Sequence, residues 1–161
     1  AFQILTGSQH DAVVRSATTA GLSASELRVS KVAPEAMPRK LAQADVGLCF
    51  VKPTEAKVAS CPTKLGEYLA CGIPVVATDG IGDVTEILES CSVGVIIRPD
   101  EQASWPEAIR KLAALLNDPE TASRCRRTAE DRFDLKDGAR KYLQLYAQLL
   151  GTDAEVQREA A

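Results

Sequence analysis

Residues 60–78 read Ser60-Cys-Pro-Thr-Lys-Leu-Gly-Glu-Tyr-Leu-Ala-Cys-Gly-Ile-Pro-Val-Val-Ala-Thr78. Pro62 to Cys71 is a helix with proline near its first position, where the missing N–H costs nothing. Leu65, Leu69 and Ala70 form its inward face, and Gly72 stops it. Pro74 to Thr78 is then a near-continuous apolar strand, the kind a sheet covers on both faces. A helix, a glycine and a doubly buried strand in this order are one unit of a parallel α/β sheet.

The same pattern extends to both sides. Upstream, Phe2 to Thr6 is a short apolar strand, His10 to Ala20 a helix stopped by Gly21, and Leu27 to Val32 an alternating strand. Glu35 to Ala44 is a helix despite Pro38, and Val46 to Val51 is another apolar strand. Lys52 to Ser60 is an irregular polar connection. Downstream, Asp79 to Asp83 is a tight glycine turn, Val84 to Cys91 a short helix and Val93 to Ile97 a fifth strand. The remainder is helical. Trp105, Ala108, Ile109, Leu112 and Leu116 form one apolar stripe. Pro119 opens a second helix through about Arg132, with Ala122, Cys125 and Ala129 inward. A third follows Gly138, with Tyr142, Leu143, Tyr146, Leu149 and Leu150 apolar, and Gly151 ends it. These expectations give one domain over 1–150 and a polar tail over 151–161, without repeats or low-complexity runs.

Five strands alternating with helices predict a parallel sheet with helices on both faces. Its ligand site lies beyond the strand C-terminal ends, in the loops 6–9, 31–36, 51–64, 78–83 and 97–101. Within these, Ser60 to Lys64 precedes a helix whose free N–H groups and dipole suit an anion, with the Thr63 hydroxyl and the Lys64 cation added. A phosphate or pyrophosphate fits there. Equally, Ser60 or Thr63 caps the helix and Lys64 is solvated. Glu67, one turn on, has the carboxylate needed to accept from two adjacent sugar hydroxyls, or is a surface glutamate at a favourable helix end. Cys61 stands where a helix N-terminus favours a thiolate, but no histidine is placed to act as its base. Gly80 and Gly82 allow a sharp turn and a close approach, and the Asp83/Glu86 spacing predicts a capping-box-like pair. His10 reads as a helix-start residue, and Tyr142 and Tyr146 as core.

Composition narrows the chemistry. The 161 residues are 45% hydrophobic and 25% charged, which suits a globular domain able to bury its own core. Nineteen Lys and Arg against 22 Asp and Glu give a net charge of −3, and a pI near 5.3 argues against nucleic acid as a general partner. A single histidine and five cysteines without a C-x-x-C spacing argue against a metal site and a disulfide framework. Reduced thiols, no long apolar run and no signal pattern predict a cytoplasmic protein without a transmembrane segment.

The motif from Cys61 to Thr78 resembles the donor-binding segment of the retaining glycosyltransferases of family 4, also called group 1. Met37-Pro-Arg-Lys-Leu-Ala-Gln-Ala-Asp-Val-Gly-Leu48, Gly80-Ile-Gly-Asp83 with Glu86, Val93-Gly-Val-Ile96, Phe133-Asp-Leu135 and Tyr142 to Leu150 resemble further segments of that family, so the likeness spans roughly residues 2 to 150. It implies the C-terminal, Rossmann-like half of the GT-B fold, facing an N-terminal domain that binds the acceptor. It implies a nucleotide-diphosphate sugar as donor, no metal or other cofactor, and hexosyl transfer with retention. Peripheral membrane contact of the whole enzyme is compatible with it. By the resemblance Glu67 holds the ribose hydroxyls as the second glutamate of the E-x7-E motif. Pro62, Thr63 and Lys64 lie beside the diphosphate, and Lys31, Val32 and Pro34 border the base. The first glutamate of that motif is replaced by Ala59, so Ser60 or backbone amides would take its place, and no catalytic residue is assigned.

By the same resemblance, the family's first strand–helix unit is absent from these residues. In the order 3-2-1-4-5-6 that strand is central, so strands 2–6 and 46–51 would flank an empty slot. Unpaired edges there are too costly to leave. The expectation is therefore a further polypeptide segment or an exchanged strand in the slot, not direct pairing of 2–6 with 46–51. A fragment without that unit is expected to be inactive alone. Two rival readings are a sugar-nucleotide epimerase of GT-B fold, which calls for further acid/base groups, and a non-catalytic partner-binding module of the same fold.

Overall fold

The computed structural model describes residues 1–151, so the expected polar tail lies outside the described residues apart from Gly151. Five strands and seven α-helices follow one another: β1 (Phe2–Leu5), α1 (His10–Thr19), β2 (Leu27–Ser30), α2 (Met37–Leu41), β3 (Gly47–Cys49), α3 (Thr63–Ala70), β4 (Val75–Thr78), α4 (Val84–Ser90), β5 (Gly94–Ile97), α5 (Trp105–Asn117), α6 (Thr121–Phe133) and α7 (Leu135–Leu150). All strand pairs are parallel. The strands form two sheets, β1–β2 and β3–β4–β5.

The three-stranded sheet carries the core. Strand residues alternate faces, so Val75 and Ala77 meet Leu65 and Leu69 of α3 and Ile87 and Leu88 of α4. Val76 and Val95 point the other way, to Ala108 and Leu112 of α5. Helices therefore cover both faces, as right-handed crossovers require. Three helices end alike. In α1, α3 and α4 the residue after the C-cap is left-handed (Gly21, φ 97; Gly72, φ 78; Ser92, φ 52). The N–H of the next residue reaches back to the carbonyl of Ala17, Tyr68 or Leu88, the doubly bonded ending that glycine favours. Gly72 so delivers the chain from α3 into buried Ile73 and β4.

The two sheets do not join. In parallel pairs alternate residues bond to opposite sides. Gly47 donates toward β4, to the carbonyl of Pro74, so the backbone groups of Leu48 and Phe50 face away from β4. Thr6 donates to the carbonyl of Ser30 in the β1–β2 sheet, so those of Gln3 and Leu5 face away from β2. Direct pairing of 2–6 with 46–51, the outcome that would have overturned the slot expectation, does not occur. No strand among the described residues lies between them, and Phe50 on the β3 edge is 57% exposed. No residue before Gly47 is fully buried.

Several local expectations need correction. The helix expected after Gly138 begins four residues earlier, because the Asp134 carboxylate accepts from the N–H of Asp137 and caps it. The helix expected over 35–44 is a 3-10 turn, Pro34–Ala36, followed by the short α2. Pro38 sits in the first turn of α2, where proline is tolerated. Ala70 is exposed, not turned to the sheet. Tyr142 and Tyr146 are not core: they are 64% and 57% exposed, with ring centroids 6.5 Å apart. Leu143, Leu149 and Leu150 beside them are exposed too. The helical period marks a face meant for burial, but no element among the described residues covers it.

Candidate functional site

The C-terminal ends of β3 and β4 and the start of α3 converge on one region. Thr78 closes the ladder between the two strands with its side chain: its hydroxyl donates to the carbonyl of Val51 at 2.7 Å and accepts from the N–H of Val51 at 2.9 Å. The chain then runs through residues 52–60, with a 3-10 turn at Glu55–Lys57, and enters α3 at the N-cap Pro62.

Neither Ser60 nor Thr63 caps α3. The Ser60 hydroxyl donates to the carbonyl of Lys57 at 3.0 Å. The Pro62 side chain carries no acceptor, so the N–H groups of Thr63 and Lys64 have no side-chain partner among the described residues, while that of Leu65 donates to the Pro62 carbonyl at 2.9 Å. Lys64, exposed on the first turn, makes no ion pair among the described residues. It lies close enough to Cys49 for its charge to oppose the rise that burial imposes on that thiol. The Glu67 side chain is exposed and, among the described residues, makes no ion pair or hydrogen bond, while its backbone carbonyl accepts from the Cys71 N–H. With Thr63 and Ala70 it lines an open groove of about 580 Å³ whose other wall is Arg126, Ala129, Glu130 and Phe133 of α6. The two helices approach closely because Gly66 faces the Phe133 ring, where a Cβ would sit 3.1 Å from the ring.

The expected site residues are therefore only partly gathered. Ser60, Pro62, Thr63, Lys64 and Glu67 share the loop and first turns of α3. Lys31, Val32 and Pro34 follow β2 in the other sheet, and no hydrogen bond or ion pair joins them to the α3 end. Ala59, where the first family glutamate would stand, is exposed.

Two expectations about the adjoining turn are overturned. Asp83 does not cap α4, and no capping box forms with Glu86. Its backbone (φ −94, ψ 11) is not extended, so the carboxylate cannot fold back over the first turn. It faces the Cys61 thiol instead. That thiol is consequently not activated: burial pushes its pKa up, and the Asp83 charge beside it adds to the rise. Desolvation, with the neighbouring anion added to it, outweighs the helix-end effect.

Sequence reasoning passed over the residues that hold this turn. The Asp79 carboxylate accepts from the Thr85 hydroxyl at 2.8 Å, the Gly80 N–H at 2.9 Å and the Arg98 Nε at 2.7 Å. Those bonds, that of Thr85 foremost, hold its pKa below the usual value. The stabilisation is thus complete above the unfolded carboxyl pKa and fades as pH falls through the lower folded one. The signal in the sequence was an Asp at the end of a buried strand with a hydroxyl six residues on.

A family model for group 1 glycosyl transferases matches residues 3–115, from β1 into α5. The chain belongs to the group 1 glycosyltransferases. The match takes in the whole Ser60 to Glu67 region and the Asp79 turn, and stops before α6 and α7. This glycosyltransferase domain has no match among curated proteins. Among its described residues no three metal-ligating side chains converge, and no helix is long and apolar enough to cross a membrane.

The five thiols are all free and give a direct check on the site's packing. Cys61 is exposed, whereas Cys125 is fully buried and its pKa is pushed up to about 11 by that burial. Brief alkylation with iodoacetamide at pH 8 is expected to label Cys61 first and Cys125 last, because access and thiolate fraction both disfavour Cys125. Peptide mass spectrometry reads the order.

Proposed function

We propose that this chain is the donor-binding domain of a family 4 glycosyltransferase, which transfers a hexosyl group from a nucleotide-diphosphate sugar with retention. What carries the reading is the group 1 match across a helix start where uncapped amides, an unpaired Lys64 and an unpaired Glu67 lie within two turns of one another. The amides and Lys64 suit a diphosphate. Pro62 and Thr63 lie beside it, the backbone near Ser60 faces the sugar, and Glu67 holds the ribose hydroxyls. Lys31, Val32 and Pro34 border the base once the two sheets are bridged. No metal is required by this arrangement.

In the transfer, the bond from the anomeric carbon to the diphosphate oxygen breaks. The acceptor hydroxyl oxygen bonds to the same face of the sugar, and its proton passes to the departing diphosphate. These residues would contribute by positioning and by stabilising the leaving group's charge. The acceptor would be held by a separate N-terminal domain. The 161 residues alone would bind nucleotide without turnover. The free thiols support a cytoplasmic setting.

Calorimetric titration with UDP and GDP tests this. Affinity is expected to fall as salt rises, because exposed charges are screened. Lys64→Ala should weaken binding by about two- to fivefold, as a solvent-screened contact worth up to ~1 kcal/mol allows, and should flatten the salt dependence. Binding that ignores both salt and Lys64 would place the phosphates elsewhere.

A further inference from the structure

Residues 52–60 lead into the proposed donor site, yet among the described residues they hydrogen-bond only to one another: Lys57 to Thr54, and Ser60 to Lys57 through both its N–H and its hydroxyl. Val58 is 64% exposed. What positions this loop from outside is the turn after β4. Gly80 packs beside Pro53. Gly82, in the left-handed region (φ 45), passes so close to the Ser60 carbonyl that a Cβ there would collide with it. Asp83 faces the Cys61 thiol. Between these contacts Ile81 is buried in the core and anchors the turn from below.

The turn is in turn held by one carboxylate. Asp79 gathers a donor from the turn itself (the Gly80 N–H), one from α4 (the Thr85 hydroxyl) and one from the residue after β5 (the Arg98 Nε). Arg98 also approaches Glu101 at 3.9 Å, and Trp105 donates to the Arg98 carbonyl at 3.0 Å. The carboxylate thereby links three elements whose relative position fixes where Gly80 and Gly82 stand.

We propose that Asp79 is a positioning residue of the donor site: through the Gly80–Gly82 turn it props the Ser60 backbone and so sets the entry of the chain into α3. The proposal rests on the reading of the α3 end as the diphosphate site. Asp79 touches no substrate and acts through Gly82 and Ser60. Bonds within the turn alone would leave the loop free to drift. Their extension to α4 and to the end of β5 ties the loop to the rigid sheet, and small misplacements of binding groups are costly to recognition.

The test compares wild type with Asp79→Ala, Asp79→Asn, Gly82→Ala and Arg98→Ala. Two readouts are used: the alkylation rate of Cys61 relative to Cys71 by peptide mass spectrometry, and the affinity for UDP and GDP by calorimetry. In Asp79→Ala the Cys61 to Cys71 rate ratio is expected to rise about threefold or more as the loop opens locally. Nucleotide affinity is expected to fall about fivefold or more. Asp79→Asn keeps an acceptor for Thr85 and Gly80, so it is expected to recover most of both, which a general loss of stability would not show. Arg98→Ala removes the one bond that Asp79→Asn also gives up and is expected to match it. If Asp79→Ala does not fold, Gly82→Ala carries the test, since its Cβ forces the turn away from the Ser60 carbonyl while the Asp79 bonds stay; the same rise in the Cys61 ratio and the same fall in affinity are expected. An unchanged Cys61 ratio in Asp79→Ala, or in Gly82→Ala if Asp79→Ala does not fold, overturns the proposal. So does wild-type nucleotide affinity in Asp79→Ala. Failure of wild type to bind either nucleotide overturns the donor-site reading itself, and this proposal with it.

Discussion

Glu67→Ala is expected to weaken binding of UDP or GDP by about 1.5–3 kcal/mol, the worth of hydrogen bonds to a charged group. That is roughly tenfold to more than hundredfold in dissociation constant. The carboxylate is exposed and has no partner of its own among the described residues, so nothing in the fold depends on it. Thermal unfolding of the variant should therefore match wild type within about 0.5 kcal/mol, as for surface substitutions generally. A deoxyribonucleoside diphosphate separates the ribose role from simple charge. Wild type should lose affinity when the 2′-hydroxyl is missing, and Glu67→Ala should be nearly indifferent to it. Equal affinity of wild type and variant for UDP would remove the ribose role.

The largest stability loss is expected at Leu69. It is fully buried, under β4 and among Leu65, Val75, Leu88 and Cys125 of one cluster. Leu69→Ala deletes three carbons from a site that strands and two helices hold rigid. It should cost about 2–5 kcal/mol, the range for buried leucines whose cavity does not collapse. Against a domain stability of about 5–15 kcal/mol that loss is enough to shift the urea midpoint visibly with an unchanged slope. Cys125→Ala, in the same cluster but far smaller, should cost less. A Leu69→Ala loss below about 1 kcal/mol would mean that the cluster repacks freely.

Much of the fold was legible because its determinants are local. Gly72 after an amphipathic run and the unbroken Pro74 to Thr78 run placed α3 and β4 nearly to the residue. Gly21 and Gly151 ended their helices as expected, each in the left-handed region. What failed depended on backbone angles or on distant neighbours. Asp83 has the right residue type and spacing for a cap but the wrong φ and ψ, which spacing does not reveal. Gly138 looked like a helix start because glycine is a poor helix interior residue, whereas the Asp134 cap four residues earlier decided the matter. The thiol of Cys61 was misjudged because the helix end is visible in the chain, whereas the packing that desolvates the thiol and the Asp83 charge, twenty-two residues on, are not. The groove beside Glu67 needs Gly66 and Phe133 to meet, and only the third dimension joins them. The motif did mark the α3 region as a family site, while Asp79, which holds the neighbouring turn, carried no motif of its own.

That full burial begins only at Gly47 has a consequence for how the molecule breathes. Residues that open independently of the core do so because few apolar side chains resist the opening. Here β1, α1, β2 and α2 bury none completely, while β3, α3, β4, α4 and α6 share the Leu65, Leu69 and Leu88 cluster. In native-state hydrogen exchange the amides of 1–46 should therefore form one weakly protected unit, exchanging through a partial unfolding that leaves the second sheet intact. Amides of β4 should exchange only with global unfolding. A protease that needs an extended chain would find its first cuts in this front segment, leaving a trimmed core that begins near β3. Addition of a nucleotide that touches only the α3 end would protect that core without closing the front. A ligand that spans both sheets would slow cutting in both at once, so the digestion pattern distinguishes one-sided from bridged binding.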